Sequence, residues 1–245
     1  MDKRLETIID NYDRMKIGLD DTFSFGCKMC GHCCINREDI LLPPYDLYRM
    51  AKALGISVEQ TVKQYCEIYI GGDSRFPIIR LKPVGKNRRC PLLKDNRCRV
   101  HQAKPTVCAL YPIGRAVKLS KGELPEPENI RAEYILQDVD CGIRKETHTV
   151  REWLQSFEIP VDDKAFQLWQ SALIRACTIF RKAEHQVKDT VMLGAWNAAV
   201  QILYINYDMD AAFLPQLKKN IKEFTELLSL LEQCCREDDL HSENK

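Results

Sequence analysis

The residues best suited to chemistry are four cysteines crowded into the segment CKMCGHCC, from Cys27 to Cys34. Two residues separate each of the first three cysteines, a spacing that lets a turning backbone direct successive thiolates at one soft metal. Gly31 can take the positive φ that a tight turn around a metal needs. Because consecutive side chains of an extended backbone point to opposite sides, Cys33 and Cys34 could serve different centres.

Further thiols follow in the segment RRCPLLKDNRCRVHQAKPTVCALYP, which contains Cys90, Cys98 and Cys108, and Cys141 comes after a longer gap. A structural zinc site and a cubane cluster each use four ligands. Eight cysteines therefore predict two metal sites, two clusters, or one cluster with additional thiols.

Other residues receive a more modest interpretation. His32 and His101 stand beside cysteines and could ligate a metal or hydrogen-bond to a ligand. Cys66 is predicted to pack in a helix-like segment. The remaining three cysteines follow apolar helical faces and are predicted to be packing or surface thiols, not ligands: Cys177, Cys234 and Cys235.

Composition supports a metal site over a disulfide framework. The chain has twelve cysteines among 245 residues, no recognisable secretion signal, and no apolar run of the roughly 20 residues that span a bilayer. We therefore expect a cytoplasmic protein whose thiols are kept reduced. A formal charge of +1 gives no overall field that would attract nucleic acid or an anionic membrane.

Iron–sulfur and zinc are the two cofactors that this pattern allows, and an iron–sulfur cluster, most simply one or two [4Fe–4S] centres, is favoured. Thiolates are abundant, no histidine is required, and eight candidates exceed the four that a single zinc uses. The local binding loop of bacterial ferredoxins is excluded, because its fourth cysteine would stand where this chain has Arg37. The spacing also differs from the CxxxCxxC motif of radical enzymes that use S-adenosylmethionine.

The run CxxCGxCC followed by RCPLL, CRVH, KPTVC and YP resembles the cysteine-cluster family of zinc- or iron-chelating domains over roughly residues 23–145. The resemblance implies metal binding by the first seven predicted cysteines, and Cys141 corresponds more weakly. This chain has Lys104 before Pro105 where the family usually has arginine, so a bidentate contact to an anion would be lost there.

The signature is also similar, more distantly, to that of flagellin lysine N-methylases, iron–sulfur proteins that methylate protein lysines. Methyl transfer is therefore the alternative function, although no glycine-rich turn of the Rossmann type follows a predicted strand. A zinc-stabilised interaction module is a further alternative. No Ser-His-Asp or paired-carboxylate arrangement stands out, so whether the protein is an enzyme stays open.

Local signals predict individual elements. Pro43-Pro44 and Gly55 are predicted to begin and end one helix, Ser57 and Gln60 to form a capping box at the start of the next, and Tyr111-Pro112 to fix a turn.

Element patterns predict a mainly α protein with two domains. Residues 1–145 form a small irregular α+β metal-binding domain with a short hairpin at 94–97, and residues 146–240 form a helical bundle with apolar residues every three or four positions. The helical domain could contact an unknown protein partner or substrate. Residues 80–104 carry nine Lys or Arg against one Asp; this bias balances thiolate charge or attracts an anionic partner, with nucleic acid disfavoured.

Overall fold

The computed structural model describes residues 3–35 and 40–242 as a chain of helices and small antiparallel sheets. The helices are α1 Lys3–Met15, α2 Pro44–Leu54, α3 Val58–Tyr65, α4 Thr106–Leu110, α5 Val150–Ser156, α6 Lys164–Ala183, α7 Asp189–Val200 and α8 Phe213–Ser242. The strands are β1 Lys16–Ile17, β2 Thr22–Gly26, β3 Cys66–Ile70, β4 Pro77–Leu81, β5 Leu93–Lys94, β6 Arg97–Cys98, β7 Ile113–Lys118, β8 Arg131–Leu136 and β9 Ile143–Thr149.

The strands form four separate antiparallel groups: β1-β8-β7, β2-β9, β3-β4 and β5-β6. The class is therefore broadly α+β with a helical C-terminal region, and strands take a larger share than the mainly α prediction allowed. Five of the strands were not predicted: β1, β2, β3, β8 and β9. Cys66 begins β3 and is buried, so the predicted packing role is confirmed and the predicted helix is wrong.

Local sequence signals account for the helices that lead toward the cysteines. Pro44 opens α2, and Gly55 closes it with a φ of 68°. Ser57 and Gln60 form the predicted capping box at the start of α3, with each side chain bonded to the other's backbone N–H.

The hairpin β5-β6 confirms the prediction from Lys94-Asp95-Asn96-Arg97. Asp95 and Asn96 have φ of 48° and 58°, as a two-residue turn with two left-handed positions requires. Aspartate and asparagine tolerate this conformation better than most residues. The turn thereby fixes where Cys98 leaves the hairpin.

The largest core is shared between the first half of the chain and the C-terminal helices. Phe76, which precedes β4, is fully buried between Phe180 of α6 and Phe224 of α8, with ring centroids 5.4 and 6.0 Å away. Cys90, Cys98 and Cys108 pack at the margin of the same core. The predicted boundary at residue 145 lies within β9, and the division into two domains stays a prediction.

A smaller core lies under β2, α4 and α5, where Phe23, Phe25 and Trp153 pack edge to face. Strand β9 follows Cys141 and pairs with β2, which precedes Cys27. None of the described helices is long and apolar enough to cross a membrane.

Candidate metal centre

All eight cysteines predicted as ligands line one cavity of about 90 Å³, which we call the cysteine pocket. They come from five places: the turn after β2, the segment before β5, strand β6, helix α4 and the segment before β9. Cys27 and Cys30 are exposed, and the other six are half-buried. None of the twelve cysteines of the described chain forms a disulfide.

The turn after β2 is built around two left-handed residues. Met29 has a φ of 50° and Gly31 a φ of 73°, which confirms the conformation predicted for the glycine. A short 3₁₀ turn then spans His32–Cys34. The backbone thus reverses between successive thiols instead of extending.

The arrangement of Cys33 and Cys34 corrects one premise of the sequence interpretation. These residues lie in the 3₁₀ turn, not in an extended segment, and their Sγ atoms are 4.0 Å apart. Two thiolates on one tetrahedral zinc, each with a Zn–S bond of about 2.3 Å, would be about 3.8 Å apart. The adjacent pair therefore faces one location.

Backbone hydrogen bonds join the turn to the hairpin. The N–H of Cys90 donates to the carbonyl of Cys34 at 2.8 Å, and the N–H of Leu93 donates to the carbonyl of Cys90 at 3.1 Å. Across the hairpin, Leu93 pairs with Cys98. Cysteines more than fifty positions apart in sequence are thereby held together by main-chain contacts.

Helix α4 carries Cys108, and a buried carboxylate of α2 hydrogen-bonds to the first residue of this helix. Asp46 of α2 accepts hydrogen bonds from the backbone N–H of Thr106 at 2.8 Å and from its hydroxyl at 2.6 Å. Pro105 precedes the helix and its carbonyl accepts the N–H of Cys108. The KPTVC motif thus contains the beginning of α4. Its Thr106 forms hydrogen bonds to Asp46 of α2, and its Cys108 lines the cysteine pocket.

Cys141 is positioned by contacts that the sequence did not reveal. The Tyr111 hydroxyl lies 3.4 Å from its Sγ atom. Gly142 has a φ of 92°, and a Cβ there would lie 2.3 Å from the ring of Phe25. The glycine directly after the cysteine was a readable signal of this close approach.

Aromatic rings form the wall behind these thiols. Phe25 stacks edge to face on Tyr111 and on Trp153, at 5.8 Å in both cases, and all three line the cysteine pocket. The Trp153 indole N–H donates to the carbonyl of Leu110 at 3.0 Å. Sequence reasoning assigned Tyr111 only to a turn and missed Phe25 and Trp153, because their separation along the chain gives no local pattern.

The environment of the thiols opposes their ionisation in the absence of a cation. The neighbouring Cys33 thiol and then burial raise the pKa of Cys34 far above its usual range. Burial raises the pKa of Cys90 to about 11, and burial also raises the pKa of Cys98. A bound metal ion supplies the positive charge that deprotonates such thiols.

Within the described ranges, no three Cys, His, Asp or Glu side chains stand in an arrangement that could hold a metal ion directly. The eight thiols share a cavity but do not converge on one point. Since metal ligands commonly come together only as the metal binds, this arrangement is compatible with a site whose final geometry is imposed by its metal. Arg37, the position that departs from ferredoxins, lies outside the described residues.

Three basic residues line the pocket: Lys28, His101 and Lys104. Lys104 lines it, with its Nζ 4.2 Å from the centroid of the Phe157 ring, and lowers the pKa of Cys98 while burial raises it. His101 is also on the wall, and burial lowers its pKa, which favours the neutral imidazole. His32 is exposed.

Part of the predicted basic segment 80–104 is paired within the protein. Arg80 forms an ion pair with Glu67 at 2.7 Å, and Arg99 donates to the Tyr65 hydroxyl at 2.9 Å. Lys94 and Arg97 flank the hairpin turn and are exposed. An anionic partner for this surface stays a prediction.

Comparison with known proteins agrees with the chemistry of the pocket. Residues 26–142 match the CxxCxxCC family, described as "Putative zinc- or iron-chelating domain". The matched segment begins one residue before Cys27 and ends one residue after Cys141, and it confirms the family resemblance seen in the cysteine motif. It supports zinc or iron binding, whereas the distant resemblance to flagellin lysine N-methylases stays a prediction.

A curated relative comes from the archaeon Methanocaldococcus jannaschii and is named "Uncharacterized protein MJ0661". It is 26% identical over 168 residues, which cover 65% of this chain and 85% of the archaeal protein. No solved structure matches the chain.

Proposed function

We propose that this protein is an iron–sulfur protein whose cysteine pocket holds one or two clusters through Cys27, Cys30, Cys33, Cys34, Cys90, Cys98, Cys108 and Cys141. The observation that carries the proposal is the gathering of these eight thiols around a single cavity, although 114 positions separate the first from the last. The pocket does not include the four cysteines predicted to pack elsewhere.

The donor set and the space both favour a cluster over a single ion. One tetrahedral ion uses four ligands, and the pocket offers twice that number. A cavity of about 90 Å³ also exceeds several-fold the roughly 10–15 Å³ that one water requires. Thiolates of Cys residues are the ligands that iron–sulfur clusters use.

The residues around the pocket would contribute to a redox role. A bound cluster supplies reversible electron transfer, and its potential depends on nearby charge, hydrogen bonds to sulfur and exposure to solvent. Lys104 provides a positive charge at the wall, the Tyr111 hydroxyl lies beside the Cys141 thiol, and Phe25 excludes water. Exposed Cys27 and Cys30 mark the side on which an electron partner would approach.

Zinc is the second candidate, and one observation favours it. The 4.0 Å between the Sγ atoms of Cys33 and Cys34 is close to the edge of a tetrahedral zinc–thiolate site. In this case the pocket would be a closed structural centre that stabilises an interaction module.

Anaerobic purification, metal and sulfide analysis, and visible absorption spectroscopy distinguish the two candidates. We expect iron and acid-labile sulfide in equal amounts and a broad visible absorption that bleaches on reduction. Stoichiometric zinc without iron or sulfide would contradict the iron–sulfur assignment and support the structural zinc site.

Cysteine variants test the ligand set. Serine substitution at Cys33, Cys90 or Cys108 should abolish or strongly reduce the metal content. The matched controls Cys66→Ser and Cys177→Ser change thiols that do not line the pocket and should retain it. Equal metal content in both groups would contradict the proposed ligands.

A further inference from the structure

A second cavity of about 260 Å³ lies on the other side of α4 from the thiols, and we call it the aromatic cavity. Val107 and Tyr111 line both cavities, so one short helical segment separates them. Helices α6 and α8 close the far side with Phe166, Trp169 and Phe213. An electron carrier needs no such space beside its centre.

The charged groups of its wall are two buried carboxylates and one guanidinium. Asp163 caps α6, accepting the N–H of Phe166, and forms an ion pair with Arg115 at 2.9 Å. The guanidinium of Arg115 also stacks on the Phe166 ring at 4.0 Å. Both partners are about nine-tenths buried, so Arg115 is neutralised by Asp163 and by contact with the ring.

Asp46 is the remaining charged group, and it is 1% exposed. Each of its carboxylate oxygens accepts one hydrogen bond from Thr106, which leaves acceptor capacity on both. No lysine or arginine within residues 3–35 and 40–242 forms a salt bridge with Asp46. Burial raises its pKa to about 6, so the carboxylate is mainly ionised at pH 7.

The charge balance of the cavity is negative. The wall carries two carboxylates and one guanidinium, a sum of −1. Against the effect of burial, Arg115 and Arg49 act electrostatically to lower the pKa of Asp46, but neither donates a hydrogen bond to its carboxylate. Because buried charges are normally paired by direct contact, the open acceptor positions of Asp46 suit a cation that donates to them.

The rest of the wall suits the apolar part of a ligand. Tyr45, Trp169 and Phe213 present ring surface, and Leu110, Ile113 and Leu217 present aliphatic surface. Cations are attracted to the faces of aromatic rings, and organic ligands bind in apolar cavities with few polar groups.

We propose that the aromatic cavity binds a small organic cation, with its ammonium group at Asp46 and its apolar body between the rings. An ammonium group has three donors and matches the open acceptor positions of the carboxylate. This site does not depend on which metal occupies the neighbouring pocket. A free amine and the side chain of a lysine both carry this chemistry.

Calorimetric titration of the purified protein with three probes of one size tests the charge preference: benzylammonium, benzyl alcohol and benzoate. We expect saturable binding of benzylammonium, at least about tenfold tighter than the other two, because a hydrogen bond to a charged group contributes that much or more. Equal affinities, a preference for benzoate, or no binding would overturn the proposal. This comparison needs no variant.

The indole N–H resonances in a proton–nitrogen NMR spectrum report where benzylammonium binds. Benzylammonium should shift the signal of Trp169, which lines the cavity, and leave that of Trp196, which donates to the carbonyl of Arg75. The Trp196→Phe variant assigns its signal. A shift of Trp196 without Trp169 would place the ligand elsewhere.

Two variants complete the test. Asp46→Asn should weaken benzylammonium about tenfold and leave benzyl alcohol unchanged, because asparagine can accept from the Thr106 N–H and donate to its hydroxyl. Ala165→Phe should fill the cavity and abolish binding of all probes. The exposed Asp162→Asn is the matched control and should bind as the unmodified protein does.

Competition then separates the two sources of ammonium. Displacement of benzylammonium by the tripeptide Gly-Lys-Gly, but not by Gly-Gln-Gly, would assign a peptide lysine. Failure of both peptides to displace it would assign a free amine. Displacement by both alike would contradict recognition through ammonium.

Discussion

The cysteine pocket and the shared apolar core are formed by different kinds of structure. Helices α6 and α8 place Phe180 and Phe224 around Phe76 through regular turns, and the three rings are fully buried. The pocket instead depends on a left-handed Gly31, a two-residue hairpin and a five-residue helix. Packing of apolar side chains stabilises the first region, whereas the second surrounds a cavity lined with thiols.

Removal of the metal should give the largest difference between the two regions. Chelation, or serine at Cys33, is expected to abolish slow amide exchange in residues 27–34 and 90–108, because metal binding supplies folding free energy to such segments. Amides in α6 and α8 should keep slow exchange. Hydrogen exchange by mass spectrometry measures both, and equal loss in the two regions would contradict the comparison.

Truncation of a side chain in the shared apolar core should instead destabilise the whole fold without removing the metal. Phe180→Ala removes a fully buried ring and is expected to lower the free energy of unfolding by about 3–5 kcal/mol. Urea unfolding followed by circular dichroism measures the change. Leu230→Ala is the control, because its side chain is 59% exposed and its loss should cost little. The folded Phe180→Ala protein should keep the metal content of the unmodified protein.

Asp46 lies at the boundary between the regions and gives a prediction of pH dependence. Because burial raises its pKa to about 6 in the folded state, the folded protein binds more protons than the unfolded chain between about pH 4 and 6. This carboxyl therefore stabilises the fold less as pH rises through that window. Over the whole titration, the contribution lost amounts to about 3 kcal/mol.

The test compares the free energy of unfolding of the unmodified protein with that of Asp46→Asn across the pH range. The contributions of the other carboxyl groups cancel in this difference. The stability of the variant relative to the unmodified protein should rise by about 2 kcal/mol from pH 4 to pH 7 and stay flat above. A difference that does not vary with pH would show that Asp46 titrates normally. Urea unfolding at each pH provides the free energies.

The prediction with the smallest expected effect compares alanine substitution at two glycines that have the left-handed conformation. Gly31 in the cysteine turn and Gly55 after α2 have φ of 73° and 68°, and each has room for a Cβ. Alanine at either position should destabilise the protein by about 1 kcal/mol from backbone strain alone. Only Gly31→Ala should also weaken metal binding, measured by competition with a chelator; equal weakening by both would mean that the turn is not specific to the centre.

Sequence reasoning was most successful where the signal was local. Proline and glycine bounded α2, the serine and glutamine of the capping box began α3, and Asp95-Asn96 formed the hairpin turn. Each depends on residues within a few positions, so no tertiary contact was needed to find it. The family resemblance rests on the same kind of evidence.

Features that depend on distant contacts were missed. Strand β9 is mostly exposed and charged, so its sequence has no apolar alternation, and it forms only because β2 pairs with it. Phe25 and Trp153 meet at the pocket although they lie on either side of the matched segment 26–142. The side-by-side thiols of Cys33 and Cys34 depend on a 3₁₀ turn that a single short motif does not specify.

The pairing of Gly26 with Ile143 constrains when the centre can be completed during synthesis. It places the first cysteine of the pocket beside the last, and the strand that does so ends only at Thr149. A chain synthesised as far as Cys108 has seven of the eight pocket cysteines but lacks Cys141 and this closing strand. If the eight thiols are the ligands that we propose, the complete set would assemble only after residue 149 has been translated.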